Sequence, residues 1–152
     1  MKKLLAFLVV LTVSVCNLNS QNKTIKGRVI DDYLETLPYV PIFIKDTLEI
    51  GKTDLDGFFQ IDIPANENKI LFRYVGIDPT TIELVDQCNE IEVIMMLTGT
   101  HDFISLKRAE KKREKRYKML LELHKQAHEN GLFKSEKPCY AREFESYYLD
   151  KN

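Results

Sequence analysis

The sequence predicts a mainly β fold, a seven-stranded antiparallel β-sandwich, followed by a C-terminal basic α-helix and a tail. Three observations carry this reading. Between residues 23 and 97, short runs rich in β-branched and aromatic residues recur about every ten residues, bounded by turn chemistry. None of these runs has the 3.6-residue period of an amphipathic helix. From Ser105 to Asn130 there is neither proline nor glycine, good helix formers dominate, and Gly131 supplies a stop.

The strands follow in order. In Thr24 to Ile30, the residues Ile25, Gly27 and Val29 alternate with Thr24, Lys26 and Arg28, so one face is buried. Asp31-Asp32 opens a polar turn. Tyr39 to Lys45 puts Val40, Ile42 and Ile44 on one face; Pro38 and Pro41 lack an amide donor, which predicts an edge strand or an irregular start. A short piece spans Glu49 to Thr53. Asp54-Leu55-Asp56-Gly57 then favours a tight hairpin, because Asp-Gly tolerates the left-handed backbone. Phe58 to Ile63 turns Phe59, Ile61 and Ile63 one way and Gln60 and Asp62 the other. Ile70, Phe72 and Tyr74 alternate with Leu71 and Arg73, and Thr80 to Val85 and Glu90 to Met96 complete the set. Two facing rows of Ile, Val, Phe and Tyr over about 75 residues suffice for one core.

The chain has 152 residues, room for one domain with an appendage. Its 44% hydrophobic and 30% charged content argues against wholesale disorder, and six glycines and five prolines exclude Pro/Gly-rich low complexity. Residues 1–20 read as a secretory signal peptide. Lys2-Lys3 precede an apolar run from Leu4 to Val15, about a dozen residues where a spanning helix needs roughly 20. Cleavage after Ser20 is favoured. The rival is lipidation of Cys16, since Val13-Ser14-Val15-Cys16 is similar to a bacterial lipobox that departs from its usual pattern at Val15. Removing residues 1–20 leaves Cys88 and Cys139, an even pair for an oxidising compartment. Their disulfide would tie the tail to the domain; the alternative is two free buried thiols.

Several strings then resemble a known family. They are Lys26-Gly27-Arg28-Val29-Ile30-Asp31, Leu37-Pro38-Tyr39-Val40-Pro41-Ile42-Phe43-Ile44, Gly51-Lys52-Thr53-Asp54-Leu55-Asp56-Gly57-Phe58-Phe59-Gln60-Ile61 and Phe72-Arg73-Tyr74-Val75-Gly76-Ile77. Residues 23–97 resemble the carboxypeptidase regulatory-like domain, a transthyretin-like sandwich. The resemblance implies a Bacteroidota setting, where the domain often precedes the plug of TonB-dependent outer-membrane transporters, and it implies no peptidase activity. This chain departs from the family at Tyr33-Leu34-Glu35, where a glycine is usual, and at Tyr39-Val40, where Gly-Val is frequent. Such changes bear on turn geometry more than on the fold. The organisation expected is a signal peptide at 1–20, the sandwich at 21–98, a basic amphipathic helix at 105–131 and an aromatic tail at 132–152.

Charge is lopsided. Residues 107–118 hold eight Lys or Arg (Lys107, Arg108, Lys111, Lys112, Arg113, Lys115, Arg116, Lys118) against two Glu, a net of +6. Residues 21–104 hold seven basic and fifteen acidic residues, a net of −8. The basic run reads as a solvated helix face, as an internal latch onto the sandwich's own acidic face, or as an external patch for an acidic envelope partner or a membrane surface. Nucleic acid is excluded as a partner by the exported compartment. Tyr117, Leu120, Leu121, His124 and Ala127 form a stripe at helical spacing, and the tail aromatics Phe144, Tyr147 and Tyr148 are expected to pack on the sandwich.

Catalytic chemistry is sparse. His124 and His128 have a metal-compatible spacing, but a zincin needs Glu where Lys125 stands, and a third ligand would have to come from His101, Glu129 or Cys139. Asp54-Leu55-Asp56-Gly57 resembles the start of an EF-hand loop, yet Ala65 occupies the position of the bidentate glutamate. No nucleophile elbow, Walker loop or dinucleotide fingerprint is present. The reading is therefore a non-enzymatic protein without cofactor, exported to the periplasm or outer membrane or secreted, and serving as a protein-interaction or structural module. The alternatives are a sandwich binding carbohydrate or a small ligand at its loop ends, an outer-membrane lipoprotein acylated at Cys16, and a metal enzyme built on His124 and His128.

Overall fold

Period-two alternation in the sequence becomes strand in every place where it occurs, with ends displaced by a residue or two. A computed structural model of the chain describes residues 22–85, 87–99 and 104–146. The leader, Cys16, His101, Tyr147 and Tyr148 lie outside the described residues. The strands are β1 (Asn22–Asp31), β2 (Pro41–Ile44), β3 (Leu48–Lys52), β4 (Phe58–Pro64), β5 (Lys69–Phe72), β6 (Thr80–Leu84) and β7 (Glu90–Met95). Helix α1 (Leu106–Glu129) and a two-residue strand β8 (Tyr140–Ala141) follow.

Two sheets face each other, in the orders β4-β1-β7 and β3-β2-β5-β6-β8. Most neighbours are antiparallel, but β1 and β7 run parallel, with Gly27 opposite Ile91 and Val29 opposite Val93. Alternation fixes which face is buried and is silent on the direction of the neighbour, so this pair departs from a wholly antiparallel sandwich. The edge-strand expectation for β2 is corrected as well: it lies between β3 and β5. Pro41 is tolerated because it is the first residue of the strand, and a register shift between Ile42 and Phe43 shows the irregular start.

Ile25, Val29, Ile42, Ile61, Phe72 and Val93 meet between the sheets, all 3% exposed or less. Phe59 and Phe72 meet edge to face, with ring centroids 5.7 Å apart. A Cβ at Gly27 would lie 1.8 Å from the Ile91 carbonyl oxygen, so only glycine allows this backbone approach.

The outer face of the three-stranded sheet carries a second apolar cluster. Ile30 and Ile94 point away from the main core and are covered by Ala127 and Phe133, with Leu34, Leu120, Leu123 and Leu132 around them. Full burial of each isoleucine stabilises by about 1.5–3 kcal/mol, which seats α1 on the sheet. Gly131, at φ +72°, ends the helix. Its amide donates to the His128 carbonyl and that of Leu132 to the Ala127 carbonyl, the paired bonds of a Schellman stop.

The tail closes the sandwich on one side. β8 pairs with β6, and the Arg142 guanidinium donates to the Ile94 carbonyl of the opposite sheet at 2.8 Å. Cys88 and Cys139 are disulfide-bonded with Cα atoms 5.9 Å apart, inside the usual range for such a bridge.

Candidate functional site

The eight cations of residues 107–118 divide by helical angle. Arg113 and Arg116 stand on the face turned to the sandwich. Arg113 Nε donates to Asp78 Oδ2 at 2.7 Å, and both side chains are 7% exposed. Its Nη1 lies 3.4 Å from Glu110 Oε1 and also donates to the Glu145 carbonyl of the tail. The Phe144 ring lies 4.7 Å from the guanidinium carbon. Arg116 forms an ion pair with Asp32, whose other oxygen accepts the Leu97 amide at 3.0 Å. Asp32 follows β1 and Asp78 precedes β6, so the latch holds the first half of α1 to the loop end where β1 stops and β6 starts.

This polar contact involves Glu110, Asp32 and Asp78, and the sequence did not assign the two aspartates to the helix arginines. An acidic residue in a loop looks solvated until a partner from 35 or 84 positions away arrives. One signal was present: Glu110 and Arg113 share helical spacing with Ala109 and interrupt an otherwise solvated basic run.

Lys107, Arg108, Lys111, Lys112, Lys115 and Lys118 occupy the opposite side of α1 and are exposed. Lys118 pairs with Glu114 at 2.6 Å, and that hydrogen bond holds the Glu114 carboxyl below its ordinary value. The other five have no ion pair among the described residues. They form a row along about 12 Å of helix, held in place by the two arginine contacts, the apolar cluster and the disulfide at the far end.

The remaining candidates fall elsewhere. Leu121 leaves the expected apolar stripe and is 58% exposed, since Leu120 and Leu121 differ by about 100° and cannot both face the sheet. Phe144 packs on the helix, 5.3 Å from the Tyr117 ring, where the sandwich was expected to receive it. His124 is 2% exposed and packs 4.8 Å from Phe133, with Nδ1 facing the Glu136 carbonyl. His128 Nδ1 faces the Phe133 carbonyl instead. The two imidazoles thus serve different backbone groups, and no cluster of three metal-ligating side chains exists among the described residues. Asp54 Oδ1 accepts the amides of Asp56 and Phe58 at 2.9 and 2.8 Å, so the turn itself uses this carboxylate.

A cavity lies beside α1 and a larger cleft beside the turn that follows it. The first, of about 280 Å³, lies between the helix and the tail, with Leu120, His124, Tyr140 and Arg142 in its wall. Burial pushes the Tyr140 hydroxyl up to about 12. The other is an open cleft of about 630 Å³ on the outer face of the β4-β1-β7 sheet, walled by the turn after the helix. The ligand site expected from the sequence was at loop ends; this cleft is mainly on a sheet face.

No curated protein matches the chain. A family model described as CarboxypepD_reg-like domain matches residues 25–103, more than half of the sequence; it covers β1 to β7 apart from the first three residues of β1 and does not reach β8. That domain is a non-catalytic sandwich module. The matched span stops just short of α1, so the basic helix and the clamped tail are additions to the shared fold. With the Gly-x-Val segment in β1 and the Asp-Gly-x-Phe turn before β4 inside the matched span, the chain belongs to the CarboxypepD_reg-like domain family.

Proposed function

We propose that this protein is an exported, non-enzymatic component of the bacterial cell envelope that docks an acidic partner protein on the outward face of α1. The observation that carries the reading is the division of the helix. Two arginines and the apolar face anchor it, while Lys107, Arg108, Lys111, Lys112 and Lys115 are left exposed without ion pairs among the described residues. Anchoring matters because a fixed charge row loses little conformational entropy on binding, whereas five free lysine or arginine side chains on a mobile segment would lose more. The acidic sandwich and basic helix also give the molecule a dipolar surface able to orient a partner on approach.

The leader supports export to the periplasm or outer membrane, and the family supports an accessory role beside a TonB-dependent system. Cys16 keeps open the form in which the chain is a lipoprotein. Intact mass of protein purified from the envelope separates the two: a start at Gln21 gives a soluble module, and a diacylglycerol adduct gives a tethered one.

Cross-linking pull-downs from envelope extracts test the docking itself. The wild type should capture a discrete acidic protein, and Lys111→Glu with Lys112→Glu should abolish capture while the far-ultraviolet spectrum is unchanged. Equal capture by both forms, or none by the wild type, contradicts the reading. Retention on lipid vesicles in place of a protein would transfer the surface to the membrane.

A further inference from the structure

We propose that the open cleft on the β4-β1-β7 sheet is a second binding site, one for an acidic saccharide. A sugar ring would sit on Phe58, with its carboxylate against Arg28 and Lys26.

The site follows from strand register. β1 and β4 pair so that Arg28 is opposite Phe58 and Lys26 is opposite Gln60. All four side chains alternate with the buried Gly27, Val29, Phe59 and Ile61, so they stand together on the outer face. Helix α1 covers Ile30 and Ile94 but ends at Gly131, short of these residues, and the turn after it becomes a wall of the cleft. Its volume of about 630 Å³ lies within the range typical of ligand sites.

The electrostatics select the ligand's sign. Each acidic group lining the cleft already has a partner. Glu92 accepts the backbone amides of Lys134 and Ser135 at 2.6 and 3.0 Å, Glu90 pairs with the Lys134 ammonium, and Asp54 caps its own turn. Lys26 and Arg28 stand opposite Glu90 and Glu92 across β1 and β7, but Glu92 is buried with both oxygens taken and Glu90 is held by Lys134, so the cations keep donors available to a ligand. Arg28 donates only to neutral carbonyls, from Nε to Asp56 at 3.2 Å and from Nη1 to Leu132 at 3.0 Å. It has no carboxylate within ion-pair distance among the described residues, and neither has exposed Lys26.

The aromatic ring selects the ligand's shape. Phe58 is 46% exposed, and the Arg28 guanidinium is fixed 4.7 Å from its centroid. An exposed ring beside a positioned guanidinium, an ammonium and the Gln60 amide suits a molecule with one apolar face, an anionic group and several hydroxyls. A uronic-acid sugar has all three: its C–H face stacks on the ring, its carboxylate takes the guanidinium, and its hydroxyls reach the amide. Because the cleft is open to solvent, an oligosaccharide can pass through it without being enclosed.

The test is isothermal titration of the full, disulfide-intact chain with trigalacturonate, using neutral maltotriose as comparator. Trigalacturonate should bind and maltotriose should not. Lys26→Glu, at an exposed side chain with no ion pair among the described residues, should weaken uronate binding about tenfold or more. Phe58→Leu, which keeps an apolar residue there, should weaken it about fivefold, and Lys111→Glu on the outward helix face should leave it unchanged. Absence of uronate binding at about 10 mM overturns the proposal, as does equal binding of maltotriose. Wild-type affinity in both Lys26→Glu and Phe58→Leu overturns it as well, and so does loss of binding in Lys111→Glu alone, which would move the anion to the helix.

Discussion

Leu34 and Tyr39 hold left-handed backbone, with φ of +66° and +57°. These are the two turns where the sequence lacks the glycine its family usually has, so the chain keeps the turn geometry and accepts the strain of a Cβ there. Left-handed backbone costs a residue with a side chain roughly 1–2 kcal/mol, and Leu34 offsets part of that by packing under the helix. Tyr39 is 56% exposed and has little to offset it with. Tyr39→Gly should therefore raise stability by about 0.5–1 kcal/mol after glycine's larger unfolded-state entropy is subtracted; urea unfolding checks this. His124 gives the pH-dependent counterpart. Burial lowers its pKa below the ordinary 6.5, outweighing the Glu136 carbonyl and the Glu92 charge, which act the other way. A carbonyl only accepts, so the neutral ring carries its proton on Nδ1. The unfolded chain then binds a proton near pH 6.5 that the folded chain refuses. Stability from this site is complete above that pH and falls as the pH drops toward the folded pKa. Melting curves between pH 7.5 and 5 should show this decline, and His124→Phe should flatten it.

At the scale of elements, the sequence was most legible where one periodicity decided the outcome. β4 shows this best: Phe59, Ile61 and Ile63 are buried and Phe58, Gln60 and Asp62 are exposed, as alternation requires. The helix ends were equally plain, because Gly131 terminates the pattern. β7 was less so. Its outward Glu92 and Ile94 are buried along with the inward residues, since α1 and the turn after it cover that face, and alternation within a strand carries no information about a later segment. The latch was one reading of the charge asymmetry, but its partners were hidden for the same reason. Helical spacing with Ala109 marks Arg113 within the run of eight cations, but not the aspartate it meets, because Asp78 is 35 positions away. Removing Arg113 leaves Asp78 and Glu110 buried without their cation, which costs about 3–5 kcal/mol. Arg113→Ala should lose about that much stability by chemical denaturation. Lys112→Ala, on the exposed side, should stay within about 0.5 kcal/mol of the wild type.

For the molecule as a whole, the family sandwich is extended by a helix and a tail that close one side of it. β8 adds to one sheet, Arg142 reaches the other, and the Cys88–Cys139 bridge fastens both to the loop before β7. Reduction should lower stability by about 2–4 kcal/mol, read as a shift of the urea midpoint in the presence of a thiol reductant. The outward cations are a usable surface only if this assembly is rigid, so hydrogen exchange of the α1 amides under native conditions is the decisive observation. If helix and sandwich are one cooperative unit, the amides between Arg113 and Ala127 will exchange as slowly as those of β1 and β7, and will speed up on reduction or in Arg113→Ala. Helix amides that exchange many orders of magnitude faster than the strands in the oxidised wild type would contradict a clamped helix and, with it, a fixed basic docking face.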